Sequence, residues 1–165
     1  MTAVRNKLAA GLSREDLHTF YDAYFETLDD GRLNDWLDYF VDDCVYRIIP
    51  RENYEAGSGL CTMQADSKGM LFDRVQIVLK TMVYAPRYYR RFYSGLRVVN
   101  SNDREFEVRQ NVVVIQTLLN KPSEILACGV AHDRLILDGS KGPRFVERTL
   151  VLDSEMISTS FIYPV

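Results

Sequence analysis

Two histidines, His18 and His132, and three cysteines, Cys44, Cys61 and Cys128, are the residues best suited to metal or nucleophilic chemistry. Metal sites show paired ligands such as CxxC or HExxH, and neither pattern occurs in this chain. "GSGLC" at 57–61 lacks the lysine and spacing of a phosphate loop, and no G-x-S-x-G elbow is present. General acid–base chemistry is the stronger candidate, because a base in an apolar pocket can be tuned by burial. His132 and Asp133 are adjacent in a strand-like run, so they point to opposite faces and form no dyad. The pairing left for a free-standing isomerase or dehydratase is His132 with Tyr46 or Tyr24. A half-buried histidine satisfied by a neighbouring polar group is the commoner situation.

A second chemistry-bearing stretch is "RYYRRFY", with Arg87, Arg90 and Arg91 among Tyr88, Tyr89, Phe92 and Tyr93. Such a mixture suits stacking on single-stranded nucleic acid, and equally a protein interface, where Tyr and Arg are enriched. The net charge of -3 and the lack of another basic stripe favour protein over nucleic acid. Three widely spaced cysteines do not read as a disulfide framework, so free thiols are expected. No segment is apolar enough to span a bilayer or serve as a signal peptide, and a cytoplasmic location is expected.

The elements that must position these residues can be read along the chain. Residues 1–12 read as a flexible lead-in and 13–165 as one domain. Ser13 and Asp16 form a capping pair, followed by the stripe Leu17, Phe20, Tyr21, Tyr24 and Leu28. "LDDG" ends that helix at Gly31, and a shorter helix is expected through Leu33, Trp36, Leu37 and Phe40. "CVYRII" reads as a strand closed by Pro50, and "PRENYEAGSGL" as a loop. A third helix starts near Asp66–Ser67, buries Leu71, Val75, Val78 and Met82, and stops before Pro86. The remainder is strand-like, with "REFEVRQN" alternating cleanly and turns at "NKPS" and "DGSKGP". Helices at the front and a meander behind make this an α+β chain with the sheet wrapped around the helices.

Three separated blocks then resemble the small (beta) subunits of aromatic-ring-hydroxylating, Rieske-type dioxygenases. The first carries Leu28-Asp29, Trp36 and the Asp42-Asp43-Cys44…Tyr46 element. The second is "DSKGMLFDRV" with Asp66, Leu71, Asp73 and Arg74, and the third ends in Leu152-Asp153 and Tyr163-Pro164-Val165. "YRIIPRENYEAG", "DSEM" and "IYP" look closest to the salicylate hydroxylase small-subunit branch. "RRFYSG" departs from it where many relatives carry a histidine or asparagine. The resemblance implies an NTF2-like (cystatin-like) cone and an α3β3 complex built on a small-subunit homotrimer. It also implies a Rieske [2Fe–2S] cluster and mononuclear iron held by the large (alpha) subunit, with no cofactor here. In keeping, the CxH and CxxH pairs of a Rieske site are missing from this sequence. Expected subunit contacts are Asp73, Arg74, Arg87, Arg90, Arg91, Tyr93, Tyr163 and Pro164; no contact with nucleic acid or membrane is expected.

Overall fold

The computed structural model describes residues 12–81, 85–139, 142–155 and 163–165. Residues 1–11 of the expected lead-in, Met82 and Met156 lie outside them. Helix α1, Arg14–Asp29, opens on the expected capping pair. Ser13 Oγ accepts from the Asp16 N–H at 3.1 Å, and Asp16 Oδ2 accepts from the Ser13 N–H at 2.7 Å. Its apolar stripe, widened by Phe25, is buried. Gly31 turns the chain out of the helix at φ +70°.

The second helix is shorter than the periodicity suggests. Helix α2, Leu33–Trp36, passes through a 3-10 turn, Leu37–Tyr39, and Phe40 already begins strand β1, Phe40–Pro50. Phe40 pairs with Phe145, and its ring meets Trp36 edge-on at 4.9 Å. Burial against the sheet thus outweighs continuation of the i, i+7 pattern. The segment expected to be loop, residues 50–60, holds helix α3, Arg51–Glu55, and strand β2, Met63–Ala65, follows it. Pro50 precedes the first helical residue at φ -60°, a value that suits a helix start as well as a strand end. Helix α4, Lys68–Lys80, begins at Ser67, whose Oγ accepts from the Met70 N–H at 3.2 Å, and buries Leu71, Val75 and Val78.

Four long strands follow: β3 (Arg87–Ser101), β4 (Glu105–Leu118), β5 (Glu124–Leu137) and β6 (Pro143–Leu152). The six strands lie in the order β2-β1-β6-β5-β4-β3. Only β1 and β6 run parallel, and the other neighbours are antiparallel. The curved mixed sheet stays open, with β2 and β3 at its edges, and α1 and α4 pack against it. Gly129 permits close approach of β5 and β6, since a Cβ there would meet the Val151 carbonyl oxygen at 2.1 Å. Among the described residues no helix is long and apolar enough to cross a membrane.

Candidate functional site

The side of the sheet facing α1 is filled by aromatic rings. Tyr24 lies edge-on to Phe145 at 5.0 Å, and Trp36 to Tyr46 at 5.7 Å, each ring fully buried. At their centre sits an ion pair: Arg148 Nη1 donates to Asp133 Oδ2 at 2.6 Å, with neither side chain exposed. Tyr21 Oη at 2.8 Å and Gln110 Nε2 at 3.3 Å donate to the same oxygen. The guanidinium also lies over the Tyr24 ring, 4.8 Å from its centroid. Burial raises the Asp133 carboxyl above its ordinary range, while Arg148, Tyr21 and Gln110 pull it back. Desolvation opposes the charge on Arg148, but attraction to Asp133, Tyr24 and Tyr21 outweighs it and holds the guanidinium charged.

His132 takes no part in this interior. Alternation along β5 turns Asp133 inward and His132 outward, as the strand geometry required. His132 stacks on Tyr54 of α3 at 5.5 Å, whereas Tyr24 and Tyr46 lie on the inner face. The expected pairing of His132 with Tyr46 or Tyr24 is therefore corrected: the sheet separates them. Tyr46 instead donates to the Val165 carbonyl oxygen at 2.8 Å and accepts from the Val165 N–H at 2.9 Å. Burial raises the Tyr46 phenol above its ordinary value.

The expected contact residues divide by the direction in which they point. Arg91 faces inward with its side chain 1% exposed, bonded to Asp29 Oδ1 and the Pro164 carbonyl oxygen, each at 2.6 Å. The Arg91 backbone N–H, on the side of β3 away from β4, donates to Asp29 Oδ2 at 3.1 Å. Tyr163 packs on Tyr89 at 5.1 Å, and Pro164 is buried. Arg91, Tyr163 and Pro164 thus join α1, β3 and residues 163–165 inside this chain. Tyr93 is half-buried, donates to Asp22 Oδ1 at 2.7 Å and lies 3.0 Å from His18 Nδ1. Arg87 donates to Gln116 Oε1 at 3.1 Å, and Arg90 is exposed with Nη1 on its neighbour's carbonyl, Tyr89 O, at 2.9 Å. On α4, Asp73 is exposed and Arg74 half-buried, beside the half-exposed Met70, Phe72, Ile77 and Leu79.

The outer face of the sheet has two halves. Toward the start of β3, Tyr88 and Phe92 stand 61% and 57% exposed, and Ile125 on β5 stands 67% exposed beside Ile115. Toward the other end the outward residues are charged: Arg47, Glu147, Arg134, Glu107 and Arg109, with His132 among them. A cavity of about 440 Å³ opens there between α3 and the sheet, lined by Arg47, Ile49, Tyr54, His132, Glu147 and Thr149 among others. Nothing in the residue pattern announced it, because its wall comes from a helix hidden in a polar stretch.

Among the described residues no three His, Cys, Asp or Glu side chains group to hold a metal ion. All three cysteines are free, and burial lifts the Cys44 thiol to about 11, away from thiolate reactivity.

Comparison with known proteins adds to this geometry. Residues 24–159 match the family described as ring hydroxylating beta subunit. The small subunit of anthranilate 1,2-dioxygenase from Burkholderia cepacia is 29% identical over 157 residues, covering 92% of this chain and 97% of the relative. Subunit beta 1 of the terminal oxygenase component of terephthalate 1,2-dioxygenase from Comamonas sp is 29% identical, covering 88% and 94%. Among solved structures, the beta subunit assigned to an aromatic-ring-hydroxylating dioxygenase of Novosphingobium aromaticivorans superposes with a TM-score of 0.82. It is 31% identical, covering 91% of this chain and 94% of that one. The expected NTF2-like architecture is the observed one.

Proposed function

The chain belongs to the ring hydroxylating beta subunit family, and from that premise we propose that it is the small subunit of an oxygenase acting on an aromatic acid. Salicylate is the substrate suggested by "YRIIPRENYEAG" and "DSEM", and relatives named for anthranilate and terephthalate support a ring carboxylate. In this reading the large subunit carries the Rieske cluster and the mononuclear iron. The small subunit contributes a folded surface, as one domain over 13–165, in a cytoplasmic α3β3 assembly with a small-subunit trimer. The family match across most of the chain is the observation that carries the reading.

The outer face supports it. Exposed Tyr88, Phe92 and Ile125 beside Arg90 combine the aromatic and arginine anchors typical of interface centres. Asp73 and Arg74, between the apolar shoulders of α4, make a second contact candidate. Arg91 is a poor test, since its reversal would break the Asp29 bridge.

Co-expression with the large subunit, followed by native mass measurement and an iron assay, tests the reading. Equal numbers of the two subunits are expected, with iron bound only when the large subunit is present. Arg90→Glu combined with Phe92→Ser should weaken co-purification while leaving the isolated small subunit folded. The reading is overturned if the wild-type chain never co-elutes with the large subunit, or if it alone oxidises an aromatic acid.

A further inference from the structure

The cavity beneath α3 faces away from both the packed interior and the apolar half of the sheet. Its volume, about 440 Å³, is within the range of small-ligand sites. Ile49 lines its apolar side, and the Tyr54 ring stacked on His132, with planes 22° apart, forms an aromatic wall. Gly57 and Gly59 shape the rim at φ +64° and +69°.

The polar side is a matched pair. Arg47 Nη1 donates to Glu147 Oε1 at 3.2 Å, which occupies one of the five N–H donors of the guanidinium. Glu147 is held independently by Thr149 Oγ1 at 3.3 Å and by Arg134 Nη2 at 3.6 Å. Glu147 therefore keeps partners if Arg47 turns part of its donor face to a ligand. A cationic donor and an anionic acceptor stand side by side next to an aromatic wall. Their complement is a flat ring bearing a carboxylate with a hydroxyl or amino donor on the adjacent carbon.

We propose that this cavity binds an aromatic carboxylate with an ortho-hydroxyl or ortho-amino group. The ring lies along Tyr54–His132, the carboxylate on Arg47 and the donor on Glu147. Burial, and then Arg109, lower the His132 pKa, so the imidazole stays neutral at pH 7 and its face remains a stacking surface. A use in retaining aromatic acids beside the assembled oxygenase rests on the function proposed above, but the binding itself does not.

Titration calorimetry of the isolated wild-type chain at pH 7 with salicylate, anthranilate and benzoate tests the site. Saturable binding is expected, with the two ortho-substituted acids about fivefold tighter than benzoate. Arg47→Met should weaken all three about tenfold, and Glu147→Gln should level the preference. Tyr54→Ser, on the exposed helix α3, should weaken binding without disturbing the sheet. Any of three results overturns the site: no saturation below about 10 mM, equal affinity for the three acids, or folded Arg47→Met and Tyr54→Ser chains that bind like wild type. Absent binding with an intact two-subunit complex refutes this site alone. Intact binding without a complex refutes the docking function alone.

Discussion

Replacing Arg148 by Met removes the only cation within hydrogen-bonding distance of Asp133 among the described residues, in a place where neither side chain meets solvent. With charge centres roughly 4 Å apart and an effective dielectric constant of about 20, the lost attraction is about 4 kcal/mol. Removing one partner of a buried pair generally costs about 3–5 kcal/mol, because the other charge is left uncompensated. In a domain of this size that lowers Tm by roughly 6–20 °C. The pH dependence follows from the raised folded-state pKa of Asp133. The native state then holds a proton that the unfolded state has released, so stability falls as pH rises through the folded value. Arg148 limits that fall, and without it the fall deepens. The deficit of Arg148→Met should therefore be largest near pH 7 and shrink toward about pH 4. Asp133→Asn added to Arg148→Met should recover most of the loss, since the amide still accepts from Tyr21 and carries no charge. Urea denaturation followed by the fluorescence of Trp36 and by circular dichroism reads all three variants. A loss under about 1 kcal/mol with no change of slope against pH would refute the assignment of a working buried pair.

Tyr46→Phe strips the hydroxyl that both accepts from and donates to Val165, and should cost about 1–3 kcal/mol in the same denaturation assay. Gly129→Ala forces a methyl into the Val151 carbonyl, so most of that variant should be insoluble or melt well below wild type in a thermal shift measurement. Asp29→Ala removes both the partner of Arg91 and the acceptor for its edge-strand N–H; a loss of about 3 kcal/mol or more is expected from denaturation.

How much of this was visible in the residues depends on how local the cause is. The Ser13–Asp16 cap and the α1 stripe act within a turn or two of chain, and each appears as read, whereas the third helix already ends at Lys80. The alternation in "REFEVRQN" likewise fixes which side chains of β4 face inward. Phe40 misled because its spacing fits a helix while its burial partner, Phe145, is a hundred residues away. The contact candidates show the same limit. Nothing in "RRFY" tells that Arg91 turns inward to Asp29 while Arg90 turns out, until β3 is placed at the sheet edge beside α1. Asp133 and Arg148 look like surface charges in the sequence and become an interior pair only through the β5–β6 register.

The parallel pairing of β1 with β6 has a bearing on how the molecule is made. Tyr46 lies opposite Arg148, so the ribosome must add about a hundred residues before the two strands can meet. At about 5–20 residues per second this is a wait of roughly 5–20 s. During it β1 has at most the three-residue strand β2 beside it, and its apolar side chains lie open to chaperones or to other nascent chains.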